Sequence, residues 1–237
     1  EKFVTAKWFD RGKIWIDFIE YAERLFSRNG ERIWTNPSQF LSVYGQGQQL
    51  VQSDVLSVPI SSFLKNWMDI YPEVVEPAWR KKSITFVCKK ILALEEPKQL
   101  ARDVLSGLQS LFSGHPIALM IDSPRRWLLE LKKRIGGENG GKPWEPTDAE
   151  IDAAALYLAD YLRSFSEYKI SVLVLDEEEA DPSKIGEIWS LYQPVWNVAN
   201  HYQWDKGVRW FGEAVSLPVE TGVDFVLYRT ASWEKID

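Results

Sequence analysis

The chain has 237 residues, 45% hydrophobic and 14% aromatic, with 34 acidic against 28 basic side chains. That apolar content is enough to offset chain entropy in one large or two small globular domains, and it argues against a disordered chain. The net charge of −6 argues against nucleic acid as a partner, because neutralising phosphates needs a concentrated field of Lys and Arg.

No apolar run reaches the ~18 residues that span a bilayer, and the first residues carry no secretory pattern. No membrane partner is therefore expected, and the location reads as cytoplasmic. The chain opens on Glu1 rather than Met, as expected where a leader or preceding segment has been removed. Cys88 is the single cysteine, which forbids an internal disulfide and a thiolate-rich metal site; in Ile84-Thr-Phe-Val-Cys88 it reads as a small buried hydrophobe. His115 and His201 are too few for a histidine-built metal site, so neither metal nor cofactor is expected.

In chain order, Ile14, Trp15, Phe18, Ile19, Ala22, Leu25 and Phe26 recur at spacings of three and four, predicting a helix over 12–28 ended by Asn29-Gly30. Asn36-Pro37 and Gly45-Gln46-Gly47 read as breakers, and Ser61 or Ser62 as the cap of a short helix through Phe63, Leu64, Trp67 and Met68. Leu100, Val104, Leu108, Leu111 and Phe112 predict a helix over 97–112 with Pro97 at its first position. The run Ile117-Ala-Leu-Met-Ile121 is apolar on both faces, as a strand covered on both sides would be.

Ser123 then caps a helix from Pro124 to about Ile135, whose Arg125, Arg126, Lys132, Lys133 and Arg134 read as a solvated face. Gly136 to Pro143 is a loop, and Thr147 with Glu150 makes a capping box for a helix carrying Ile151, Ala155, Leu158, Leu162 and Phe165. Ile170 to Leu175 is a second buried strand. A further helix follows Asp181-Pro182-Ser183 and is broken by Pro194, after which 208–215 and 223–228 are β-rich. This alternation predicts an α/β fold, either barrel-like or an open parallel sheet with flanking helices. It forms one domain over 1–237, mainly helical to about 112 and α/β from about 113.

Gly136-x-x-x-x-Gly141-Lys142 imitates a phosphate loop, but a helix precedes its glycines and Pro143 offers neither hydroxyl nor amide. Gly45-Gln46-Gly47 lacks the third glycine of a dinucleotide fingerprint, Leu50 standing in its place. The better signal is positional: Asp122 follows one buried strand, and Asp176, Glu177, Glu178 and Glu179 follow the other. In parallel sheets ligands bind beyond the carboxyl ends of the strands, and paired carboxylates there can hold a substrate or divide acid and base roles. Asp122 and Glu177 are the candidate acid–base pair, with His201 as a proton donor in the cluster Asn197 to Asp205. Asp176, Arg125, Trp204 and Asp205 are the candidate substrate contacts, Arg125 for an anionic group.

From about 96 to 229 the chain resembles the uroporphyrinogen decarboxylase and cobalamin-independent methionine synthase-like barrel superfamily. The similar lines are Pro116-Ile-Ala-Leu-Met-Ile-Asp-Ser-Pro124, Val172-Leu-Val-Leu-Asp176 with Pro182-Ser183 and Tyr192-Gln-Pro194, and Gly222-Val-Asp-Phe-Val-Leu227. The resemblance implies a barrel with a substrate contact at Asp176 or Glu177, and lyase or methyltransferase-like chemistry. The decarboxylases' arginine-rich motif and the methyltransferases' Cys and His zinc ligands have no counterpart in this chain.

Three readings follow. One is a small-molecule-binding α/β protein with an acidic strand-end pocket. Another is a non-catalytic binding or assembly protein, a homo-oligomer or partner of another protein, that uses some of the twelve tryptophans as a surface. A third is a carbohydrate-active enzyme with two carboxylates beside an aromatic platform.

Overall fold

A computed structural model of the chain describes residues 13–27, 32–72, 82–136, 144–177, 184–211 and 222–228. Five strands, β1 (Leu56–Pro59), β2 (Ile117–Asp122), β3 (Ile170–Glu177), β4 (Asp205–Trp210) and β5 (Phe225–Tyr228), form one sheet in the order β1-β2-β3-β4-β5. Every neighbouring pair is parallel. The architecture is thus the expected α/β one, a parallel sheet with flanking helices, and its sequential strand order is also that of a barrel wall.

The described helices are α1 (Ile19–Phe26), α2 (Pro37–Val51), α3 (Ile60–Ile70), α4 (Ile84–Leu92), α5 (Glu95–Leu111), α6 (Pro124–Arg134), α7 (Asp148–Arg163), α8 (Ile185–Ser190) and α9 (Gln193–His201). Their buried faces share one core with Leu56, Val58, Leu119, Ile121, Leu173, Leu175, Val208 and Trp210 of the strands. Alternate residues of the same strands, Ala118, Met120, Val172 and Val174, belong to a small second cluster with Trp15, Phe225 and Leu227. Because side chains alternate across a strand, the two clusters mark the two faces of the sheet, and the helices crowd onto one of them. The other face is layered in register, with Pro59, Met120, Val174, Gly207 and Phe225 in one row and Asp122, Asp176, Arg209 and Leu227 in the row above.

Local chemistry explains most elements. Ser123 and Thr147 accept the backbone N–H of Arg126 and Glu150 at 3.0 and 3.3 Å, so α6 and α7 start where the caps predict. Pro194 lies in the first turn of α9, separating it from α8 as expected of a residue that cannot donate inside a helix.

Other expectations are corrected. Residues 13–18 are not helical: Ile14 and Ile16 hydrogen-bond to Asp54 and Ser53, and the Trp15 indole donates to Ser57 Oγ at 2.8 Å, so the segment is held beside β1. Gly45 and Gly47 do not break a chain but lie within α2, where Gly47 admits α1: a Cβ there would sit 2.7 Å from that of Ala22. Helix α5 starts at Glu95, placing Pro97 inside its first turn, and α3 starts at Ile60 directly after β1 without a side-chain cap. Residues 197–201, expected outside a helix, complete α9. The Gly136 to Lys142 loop, apart from Gly136, lies outside the described residues, as do Glu178 and Glu179.

Gly207 supplies a test of the layered face. A Cβ there would fall 2.4 Å from the Phe225 ring, so Gly207→Ala is expected to cost about 1–3 kcal/mol by overpacking. In a urea-unfolding cycle with Phe225→Leu the two changes should couple by about 1 kcal/mol or more; additive effects would refute the steric assignment.

Candidate functional site

The upper row of the face away from the core of described helices is charged, which is unusual for a sheet surface whose lower rows are apolar. Asp122 ends β2 and its Cα partner on β3 is Asp176, whose partner on β4 is Arg209. Parallel strands run about 4.8 Å apart, so the three side chains rise from adjacent positions on the same side of the sheet. Burial of Asp122 at 1% and Asp176 at 7% exposure demands partners, and three cations supply them.

Arg209 grips Asp176 with both ends of its fork, Nε to Oδ1 at 2.7 Å and Nη2 to Oδ2 at 2.6 Å, while Nη1 reaches Asp17 Oδ2 at 2.6 Å. Lys65, from α3, pairs with Asp122 Oδ2. Arg126, one helical turn beyond Asp122 on α6, bridges the acids, 3.5 Å from Asp122 Oδ1 and 3.7 Å from Asp176 Oδ2. Both guanidiniums lie over the Phe211 ring, at 4.8 and 5.3 Å from its centroid, within cation–π range.

Burial pushes the Asp176 carboxyl above its usual range; Arg209 opposes the rise, and the Asp122 charge adds to it. For Arg209 burial alone would lower the pKa, but the Asp176 carboxylate outweighs it and the guanidinium is held above its ordinary value. These groups line a cavity of about 720 Å³ over the carboxyl ends of the strands, together with Glu20, Trp34, Ser61, Ser62 and Tyr228. Its position is that of ligand sites in parallel α/β sheets, and its size suits a small organic molecule.

The residues singled out from sequence therefore divide into three places. Asp122 and Asp176 share the cavity. Glu177 follows Asp176 on the strand, so it faces the helices, where it accepts from Arg125 Nη1 at 3.2 Å and from the Tyr192 hydroxyl. Arg125 is 3% exposed rather than solvated, and its Nε and Nη2 also hold Glu145 at 3.1 and 2.9 Å. Burial pushes Glu177 above its usual range, against Tyr192 and Arg125, and raises Tyr192 as well. This cluster clasps β3, α6 and the start of α9 together on the covered face, and Glu177 and Asp122 do not form one acid–base pair.

His201, Trp204 and Asp205 lie at the opposite end of the sheet. Asp205 opens β4 and pairs in register with Val172, five residues, or about 17 Å at the rise of a strand, below Trp210. His201 is exposed at the last turn of α9 against Tyr202, and Trp204 is buried and stacked on the same ring. None of the three lines the strand-end cavity.

Lys65, Arg126, Arg209, Asp17 and Phe211 were the site residues that sequence reasoning missed. A signal existed for Arg126, which lies four residues after Asp122 and so on the same side of the strand–helix junction. Cys88 is buried on α4, and burial pushes its thiol up to about 12, which leaves it protonated and unreactive. Among the described residues no group of three or more His, Cys, Asp or Glu could hold a metal ion, and no helix is long and apolar enough to cross a membrane.

No family model, curated protein or solved structure matches the chain.

Proposed function

We propose that this protein binds a small polar organic molecule in the cavity over the carboxyl ends of β1 to β5, with Asp122, Asp176, Arg126 and Arg209 as the contacting groups. One observation carries the reading: charged side chains from a strand row, two helices and the segment before α1 converge on a single 720 Å³ cavity. A sheet face that needed only to be covered would be served better by apolar side chains, since desolvated ion pairs contribute little net stability. Convergent, burial-perturbed groups in a cleft are instead the mark of a binding or catalytic site.

Lyase or transferase chemistry at this position, as the resemblance to uroporphyrinogen decarboxylase-type barrels implies, is the enzymatic form of the proposal. A tryptophan-built partner surface has less support, because none of the described tryptophans is exposed.

The experiment is a thermal-shift screen of small acids, amino acids, sugars and tetrapyrroles against the parent, Asp122→Asn and Ser62→Trp. A ligand at about 100 times its Kd should stabilise the parent by about 2.7 kcal/mol. Ser62 lines the cavity outside the ion row, so the tryptophan blocks the space and leaves the pairs intact. Stabilisation of the parent that both variants lose supports the site; stabilisation that persists in both, or none at all, overturns it.

A further inference from the structure

The cations and acids of the cavity contact one another in strict alternation: Lys65, Asp122, Arg126, Asp176, Arg209, Asp17. Three positive charges face three negative ones, and Glu20, exposed where it lines the cavity, adds a further negative charge. A site for phosphate or a dicarboxylate works by an excess of cations over acids, so that the ligand supplies the missing negative charge. Among the described residues no such excess exists. An anion would have to draw Arg209 from a bidentate carboxylate, Lys65 from Asp122, or Arg126 from the two acids it bridges, leaving a buried acid exposed to its in-register neighbour.

What the row does offer is a line of alternating donors and acceptors whose positions are set by their mutual pairing. A carboxylate has about four acceptor directions and a guanidinium five N–H groups, so capacity beyond the pairs themselves remains. A hydroxyl group is donor and acceptor at once, and adjacent hydroxyls on a ring match such a row. Ser61 and Ser62 add hydroxyls on the same lining, and the rings of Trp34 and Tyr228 supply flat apolar area for the C–H face of a sugar ring.

We infer that the ligand of this cavity is a neutral saccharide, bound through its hydroxyls by the Lys65 to Asp17 row and through its ring by the aromatic lining. The inference rests on the proposed strand-end site and narrows its ligand. Affinity is expected to be nearly independent of ionic strength, because a neutral ligand changes no net charge on binding.

The test uses the full chain with two matched series: glucose, xylose, N-acetylglucosamine and their β-linked disaccharides, against glucose 6-phosphate, glucuronate and citrate. Calorimetric titration is run in low and in roughly physiological salt, with Ser62→Trp as the blocked control. At least one neutral sugar should bind the parent, with Kd changing less than about twofold with salt, at least about tenfold tighter than its acidic counterpart, and not detectably to Ser62→Trp. Acidic ligands binding more tightly, with salt-sensitive affinity that Ser62→Trp abolishes, would overturn the saccharide assignment and leave the strand-end site standing. Binding of neither series to the parent, with none of the broader screen's ligands binding, would overturn both.

Discussion

Replacing Arg125 by methionine is expected to destabilise the protein by about 3–5 kcal/mol at neutral pH, the range found when one partner of a buried pair is removed. Glu177 is 1% exposed and carries its charge among β3, α6 and Tyr192, so the loss of the guanidinium at 3.2 Å takes away the nearest compensating cation. The Tyr192 hydroxyl still donates to Glu177 and reaches Ser123 Oγ at 3.3 Å, but a neutral donor offsets only part of the cost of a buried charge. At roughly 2–4 °C per kcal/mol for a chain of this size, the melting temperature should fall by about 10 °C. The pair Arg125→Met with Glu177→Leu should recover most of the loss, because removing both charges also removes both desolvation costs. A double variant as unstable as Arg125→Met alone would mean that packing of the arginine stem, not the charge of Glu177, sets the effect.

That only one of Asp176 and Glu177 can share a face with Asp122 was readable before any coordinates, and the reason is strand parity. Asp176 and Glu177 are consecutive, so only one of them can rise on the side of Asp122, and the apolar run before them leaves the choice open because both faces are buried. The strands β2 and β3 were legible because they are long, apolar and followed by strong helix starts at Ser123 and, after the intervening loop, near Ile185. By contrast β1 is only Leu56–Pro59, with a serine and a proline among its four residues, and nothing local distinguishes it from the loops around it.

The segment 13–18 repeats apolar residues at helical spacing, yet its backbone is engaged by Ser53 and Asp54, a tertiary override of periodicity that single-sequence patterns do not contain. His201, Trp204 and Asp205 form a dense polar and aromatic cluster, but residues that lead into a parallel strand lie at its amino end, away from where ligands bind. The missing cations have a different cause. Lys65 and Arg209 are separated by most of the chain, and only sheet topology brings their partners Asp122 and Asp176 side by side.

The second large effect is expected at Arg209, and it depends on pH. Asp176 is held above the usual carboxylate range by burial, with Arg209 as the main opposing influence, so Arg209→Met should raise that carboxyl further. A carboxyl whose folded pKa lies above its unfolded value binds more protons folded than unfolded. Its contribution is therefore most favourable at low pH, and stability falls as pH rises from the unfolded value through the folded one. The difference in stability between parent and Arg209→Met should be small near pH 4, grow through that window, and level off above the variant's raised pKa. On the plateau it should approach about 3 kcal/mol, the lower end expected for a broken buried pair, since the Arg209 side chain keeps 24% exposure. Urea unfolding of both proteins between about pH 4 and 8 measures it, and Asp176→Asn in the same background should flatten the curve. A loss equal at both ends of that range would assign Arg209 a packing role on Phe211 instead, and would remove the reason for reading the ion row as a preorganised binding surface.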